Sequence, residues 1–459
     1  MKFNSMMLTK MSARLLFIPI LFVVGILWFF YHKTSTAVVV SDGVPHSSEA
    51  ATREVYQHAL SNGAKLYFVQ TDRMPILDIQ LAFKAGSNRD GDSPGLSRIT
   101  NDLIFEGSEG WSADQIGQQL DGLGVVYGAS SYRDMAVISL RTLGDEGVVQ
   151  TATDILASVL SAPLFDEAAI VRSKAYRLQL LNQQEQQPDV LAQKAIYTKL
   201  YGDGGYGIWP DGTTSSVQQV TRNHIIEFYQ QHYVTNNLVI AMVGDISKEQ
   251  AIAIAEKLTE HLPAGQPASA IAMQTPSSPA PVHIDYNATQ TQIVFGQVSV
   301  KRDDPEIYPL MVANTILGAV PSSKLFDRVR NEKGLAYDVR SQVNPMEGAG
   351  PLLIQCQTRR TEAQQAIELI QTIVQELVTK GPSEDEIAVA KQRLKGQFSI
   401  SLESNADIVE VITMMGFYGL PLDYLSRYLD NIEQVTPEAV NEVLRKYFEV
   451  SNFSLVTVG

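Results

Sequence analysis

Apolar positions are laid out in two ways along this chain. Residues 15–31, LLFIPILFVVGILWFFY, are apolar almost without a break, with Lys2, Lys10 and Arg14 before them and His32 and Lys33 after. A helix of that stretch rises ~1.5 Å per residue and spans roughly 25 Å, near the thickness of a bilayer core. The apolar core of a cleaved signal peptide is usually shorter, about 7–15 residues. Residues 1–33 are therefore expected to form an uncleaved signal anchor, with the basic flank kept in the cytoplasm. That makes the chain a single-pass protein of the bacterial inner membrane with its body in the periplasm. Ser35-Thr36-Ala37 keeps cleavage, and a soluble periplasmic product, as the alternative. Residues 34–52 are small and polar and read as a spacer.

Beyond the spacer the apolar positions take up periods of two and of 3.6. Strands are expected through Lys65–Val69, Leu77–Phe83 and Met135–Leu140, and helices near 94–105, from Ser112, and over 146–160 and 165–185. A comparable order follows later: a strand Thr291–Gly296, a helix near 306–317, strands near 336–343 and 351–357, and helices near 361–379 and 383–403. Between the two series lies 262–281, whose five prolines and many small residues make an extended linker. It leaves two halves, 53–261 and 282–459.

The halves end alike. QVTRNHIIEFYQQHYVTNNLVIAMVG, Gln219–Gly244, aligns without a gap with QVTPEAVNEVLRKYFEVSNFSLVTVG, Gln434–Gly459. Each reads as a helix capped by Thr221 or Thr436, a turn at Asn237 or Asn452, and a strand, with Pro437 at a first helical position. Self-similarity at so long a period means duplicated domains and not a solenoid. Hairpin and crossover connections are mixed. The expected fold class is α+β: two homologous halves, each a mixed, mainly antiparallel sheet packed by helices.

Composition narrows the chemistry. The chain has 459 residues and a net charge of −14, while its first 31 residues carry bases and no acid. A body that acidic excludes nucleic acid as partner. The single cysteine, Cys356, allows no intrachain disulfide and no thiolate zinc site, and the apolar run Pro351-Leu-Leu-Ile-Gln-Cys356 makes it a buried strand residue. None of the seven histidines falls into a His-x3-His or His-x2-Glu-His pattern; His224 and His232 lie eight apart on a helix whose face packs. No Gly-rich phosphate loop, Gly-x-Ser-x-Gly elbow or Cys/His pair points to another reaction.

Phe83-Lys-Ala-Gly-Ser87, followed by Gly95-Leu-Ser-Arg-Ile-Thr-Asn-Asp-Leu-Ile-Phe-Glu-Gly-Ser108, resembles the active helix of the pitrilysin/insulinase and mitochondrial processing peptidase family. The resemblance extends over nearly the whole exported body, duplication and linker included. In that family the helix carries His-x-x-Glu-His: two histidines bind zinc, the glutamate activates its water, and a carboxylate from a later helix completes the site. In register, this chain has Arg98, Asn101 and Asp102 at the His, Glu and His positions. A guanidinium stays protonated and cannot ligate, an amide cannot take up a proton, and Asp102 alone is no site. The later helix offers Arg172, Gln179 and Gln183, with no carboxylate at the expected register near 179–180; Glu185 comes one to two turns late. Read without the resemblance, Arg98 and Asp102 form a solvated i,i+4 ion pair worth a few tenths of a kcal/mol.

The second half contains Ser322-Ser-Lys-Leu-Phe-Asp-Arg-Val-Arg330-Asn-Glu-Lys-Gly334-Leu-Ala-Tyr337, which resembles the family's C-terminal signature. There a helix arginine and a tyrosine reach across to the zinc site of the opposite half; the matching residues are Arg330 and Tyr337. Gly334 suits a helix end, which puts Tyr337 at the start of a strand. From the residues alone, Arg330 is equally an ordinary helix arginine beside Asp327 or Glu332, and Tyr337 an interface aromatic. The resemblance implies a chain with no cofactor of its own that serves zinc held by a homologous peptidase subunit, its partners being that subunit, a peptide substrate and the inner membrane. The competing reading is a stand-alone peptide-binding or scaffolding protein whose sheet edges pair with extended peptides.

Overall fold

A computed structural model describes residues 53–271 and 280–459. The expected anchor, the spacer and residues 272–279 of the linker lie outside the described residues. Among the described residues, no helix is long and apolar enough to cross a membrane.

The first half runs through β1 (Tyr56–Ala59), β2 (Lys65–Gln70), β3 (Ile76–Phe83), a small hairpin β4–β5 (Gly107–Ser108 and Trp111–Ser112), β6 (Val126–Ser131), β7 (Ala136–Leu143) and β8 (Leu238–Gly244). The second runs through β9 (Val282–Ile284), β10 (Gln290–Val298), β11 (Ala336–Val343), β12 (Pro351–Arg359) and β13 (Ser454–Val458). Six strands of the first half form one sheet in the order β1-β2-β8-β3-β7-β6, and the second half forms β11-β12-β10-β13-β9. Set β1 aside and the two orders correspond strand for strand. The direction pattern corresponds too: β2 with β8, and β9 with β13, are the parallel pairs, and all other neighbours are antiparallel. The duplication visible at the chain ends is therefore a duplication of whole mixed sheets.

Sequence pattern and burial agree locally. Leu77, Ile79, Leu81 and Phe83 of β3 point into the core of the first half, while Gln80 points to the other face. β8, LVIAMVG, is buried at every position because it is a central strand covered on both faces. Thr221 caps Arg222–His232 by accepting from the N–H of His224, and Thr436 caps Pro437–Tyr447 by accepting from that of Ala439. Cys356 is buried in β12, where burial pushes its thiol up to about 12.

Four helices build the candidate site and the junction between the halves: α1 (Leu96–Asp102), α2 (Glu167–Gln184), α3 (Pro188–Tyr201) and α4 (Asn405–Tyr418). The halves exchange two of them. α3 of the first half lies on β10 and β13, and α4 of the second lies on β8 and β3. Both crossings are close. A Cβ on Gly416 of α4 would stand 2.6 Å from Val239 and 2.7 Å from the Tyr67 ring, and one on Gly296 of β10 would stand 2.6 Å from Ile196 of α3. Only glycine lets helix and sheet seat at that distance. A polar lock completes the junction. The buried carboxylate of Asp134 accepts hydrogen bonds from Asn88 Nδ2 (2.9 Å) and Tyr206 OH (2.6 Å) in its own half. From the other half it accepts from the Glu347 N–H (2.9 Å) and Tyr418 OH (3.0 Å). The first stretch of the linker is strapped to the first half: Pro263 and Ala264 accept from the N–H groups of Thr235 and Asn236, and Ala268 donates to Asn237.

Candidate functional site

α1 is a short helix started by a buried acid. Asp90 accepts the N–H of Gly95 at 2.7 Å and that of Ser97 at 2.8 Å. Burial pushes its carboxyl up to about 7, against those hydrogen bonds and the charge of Arg98. Positions 98, 101 and 102 lie on one face, as i, i+3 and i+4 must. They meet the end of β6, helix α2 and the loop at Asp211.

Arg98 donates from Nη2 to the carbonyl of Ser131 (3.0 Å), and its Nε lies 3.2 Å from Asp211 Oδ1. Asn101 is completely buried. Its Nδ2 donates to the Ser130 carbonyl (2.9 Å) and Ser131 Oγ (3.1 Å), and its Oδ1 accepts from Tyr233 OH (3.0 Å). Burial holds that phenol well above its ordinary value, so it remains a donor. Asp102 accepts from Arg177 of α2 through both Nε (2.9 Å) and Nη2. Arg177 also reaches Asp211 at 3.3 Å. The second oxygen of Asp211 accepts from Gln184 Nε2 (2.7 Å), and Gln184 in turn accepts from Trp209 Nε1 (2.9 Å). Burial works to raise Asp211, but Arg98, Gln184, Arg177 and Lys194 outweigh it and hold the carboxyl below its ordinary value.

Two expectations are corrected here. Arg98 and Asp102 are not a solvated pair with each other. Each is drawn to a partner from another element, Arg98 to Asp211 and Asp102 to Arg177, because a fixed guanidinium fork meets a carboxylate better than two side chains of one helix do. The later helix also meets α1 at position 177 and not near 179–180. Gln179 and Gln183 are exposed, and Arg172 pairs with Glu106 at 2.7 Å. Sequence reasoning missed Asp211 and, on this helix, Arg177. Its signal was an arginine on the buried stripe of α2 that also holds Ala169, Ile170 and Leu181.

Zinc does not fit this position. Two permanently charged guanidiniums point into it, and the only ligating groups there, Asp102 and Asp211, are already held by them. Among the described residues, no three His, Cys, Asp or Glu side chains are grouped to hold a metal ion.

Arg330 and Tyr337 are placed by two irregularities of backbone. Arg330 lies in a π-helical segment, Phe326–Glu332, a wider turn than the α-helix that recurs at functional sites. Gly334 (φ +61°) ends it. β11 then pairs with β12 through Ala336↔Thr358 and Asp338↔Gln357, so Tyr337 is the extra residue of a β-bulge. The bulge turns its ring outward, 76% exposed. The Arg330 guanidinium carbon lies 4.6 Å from the Phe326 ring centre and 5.0 Å from that of Tyr337. Asp327 is bonded by Asn331 (2.9 Å), and the Arg330 guanidinium makes no ion pair or side-chain hydrogen bond among the described residues.

The ring contacts of Arg330 and Tyr337 are within the second half. The hydrogen-bond and ion-pair partners of Arg98, Asn101 and Asp102 all come from the first. Among the described residues, no hydrogen bond or ion pair joins these two places.

Comparison with known proteins follows this division. Residues 68–208 match the insulinase family (peptidase family M16), and residues 219–394 match the peptidase M16 inactive domain. The chain is similar to a crystallised peptidase M16 inactive domain from Pseudomonas fluorescens, with 34% identity and a TM-score of 0.84 over 88% of this chain and 97% of that one. A crystallised protease from Helicobacter pylori shares the fold at 17% identity, with a TM-score of 0.81 over 89% of this chain and all of that one (100%). The non-peptidase homolog YmxG of Helicobacter pylori is 22% identical over 88% of this chain and 94% of its own length. An uncharacterized zinc protease of Rickettsia felis is 24% identical over 74% of this chain and 82% of its own.

Proposed function

The chain belongs to the M16 (insulinase) peptidase family, in which it is a member without the zinc motif and not catalytic alone, and we propose that it is the zinc-less subunit of an envelope metallopeptidase. In this reading Arg330 and Tyr337 complete the active site of a zinc-bearing homologous subunit, and the body sits in the periplasm on the anchor expected at residues 1–33. One observation carries the proposal: a guanidinium with its donors open and a phenol turned out by a bulge are held together on the surface, with no hydrogen bond or ion pair to either side chain among the described residues.

The chemistry follows from the groups. Attack on a peptide carbonyl gathers negative charge on its oxygen, and donors already in place stabilise that charge without reorganising. Arg330 supplies a cation whose stacking on Phe326 and Tyr337 limits its rotamers, and Tyr337 supplies a phenolic O–H. The partner's zinc would polarise the carbonyl and activate the water. The alternative, peptide binding without cleavage, is favoured by the outer strands β6 and β11, which each have one neighbour and leave an edge open to an added strand.

The test is co-expression with a candidate zinc-bearing homologous subunit, assayed on peptide cleavage. Arg330→Ala is expected to lower kcat/KM of the complex about 10²- to 10³-fold, the usual cost of losing one such donor, and Tyr337→Phe somewhat less. Unchanged activity in both variants sinks the idea. Stoichiometric zinc with cleavage by the isolated chain would overturn it as well.

A further inference from the structure

The second sheet carries a polar cavity beside Tyr337. β10, β11 and β12 run side by side, and on one face they present Gln292, Asp338, Arg340, Gln355 and Gln357 in two rows. Gln292, Gln357 and Asp338 are neighbours across one row; Gln355 and Arg340 are neighbours in the next. The start of α3, with Gln193, closes over them and leaves a cavity of about 500 Å³. Part of the polar equipment is engaged internally: Arg340 donates to Gln355 Oε1 (3.0 Å) and Asp338 Oδ2 (3.1 Å), and Gln357 donates to Gln290 (2.7 Å). Gln193 and Gln292 are different. Both are partly buried and reachable, and neither side chain bonds another residue among the described residues.

From this we infer that the cavity binds the backbone of an extended peptide, independently of its sequence. A carboxamide offers one acceptor and N–H donors, the same equipment as a peptide group. Gln355 and Gln357 are two residues apart on one strand, and that two-residue step is also the repeat of an extended ligand lying along it. Other ligands fit less well. No aromatic ring lines the cavity as a platform for a sugar or a base. Its one lining cation, Arg340, is bonded to Asp338, and Asp189 adds further negative charge at the rim, which disfavours phosphate. The location gives the cavity a use: Asp338, one of its lining residues, directly follows Tyr337 in the chain. That use as a substrate subsite rests on the function proposed above; the binding itself does not.

The experiment titrates the full-length chain in detergent against a fluorescein-labelled alanine–serine peptide and reads anisotropy. Saturable binding is expected without any second subunit. Gln193→Ala combined with Gln292→Ala should weaken it about tenfold, since a hydrogen bond is commonly worth a few-fold in affinity. Neither side chain has a partner among the described residues, so folding is spared, and a circular dichroism melt checks this. Gln292→Trp, which fills the cavity, should abolish binding. Failure of the wild type to bind overturns the inference. So does equal binding by the double variant, which would place the peptide elsewhere, and so does displacement by a chitin oligosaccharide but not by unlabelled peptide. If the glutamine variants lose the peptide while Arg330→Ala leaves cleavage by the two-chain complex intact, the cavity stands and the proposed function falls. The reverse pattern separates them the other way.

Discussion

The two halves treat their arginines in opposite ways. In the first, Arg98 and Arg177 are spent inward: their side chains are 13% and 8% exposed, and each is matched to carboxylates of the same half. In the second, Arg330 is held by two aromatic rings, and its donors stay open beside a tyrosine that is three-quarters exposed. Two guanidiniums against two carboxylates form a cluster with nothing left to bind an outside charge. A guanidinium stacked on rings has lost freedom without losing its hydrogen-bonding capacity. The same duplicated sheet therefore carries one closed polar site and one open one, and the open one is where an outside group can be served.

The sharpest way to break this comparison is Arg177→Ala. Removing one partner of a buried ion network leaves charge uncompensated, here on Asp102 and Asp211, and should cost about 3–5 kcal/mol in urea unfolding. A loss below about 1 kcal/mol would mean that the cluster is solvated and the first site not closed. A smaller effect comes from Asp90, which organises the start of α1. Its carboxyl is raised to about 7 by burial, so between about pH 4 and pH 7 the folded chain holds a proton that the unfolded chain has released. Stability should therefore fall as the pH rises through that window and level off above it. Glu410 of α4, raised to about 7 by burial and by Asp407, acts with the same sign. Asp211, held low, acts only under more acidic conditions, where its contribution is lost as it protonates. Asp90→Asn combined with Glu410→Gln should make the fall through the window shallower, and a fall of unchanged steepness assigns it to other groups; His232, held down to about 4 by burial, works in the opposite sense between about pH 4 and 6.5. The smallest effect is expected at the open site. Arg330→Ala and Tyr337→Phe should each change stability by less than about 0.5 kcal/mol, the usual range for exposed positions. A large loss in either variant would turn the pair into a structural one.

Much of the framework was legible in the sequence. The strands around β2, β3, β7, β10, β11 and β12, the caps at Thr221 and Thr436, and the duplication all follow from local periodicity and capping chemistry. α3 and α4 were not anticipated. α4, with Ile408, Val409, Ile412, Met415, Gly416 and Phe417 all buried, is apolar on more than one side because it serves its own half and the sheet of the other. At the site, the unfitness of Arg98, Asn101 and Asp102 for zinc was already evident from side-chain chemistry. Their partners were not, because Arg177 and Asp211 are distant in sequence and meet α1 only after the helices have packed.

By itself, the sequence determined what depends on near neighbours: the alternation of strands, the capped helices, the repeat of one unit, and the replacement of the zinc motif by Arg98, Asn101 and Asp102. Tertiary structure decided what depends on distant ones. It set which carboxylate each arginine meets, how α3 and α4 lock two sheets into one body, and how a π-helical turn and a β-bulge together aim Arg330 and Tyr337 outward. The physical reason is range. Propensity and capping act over a turn or two, whereas a guanidinium's partner and a bulge's direction are chosen only when whole elements compete for the same space.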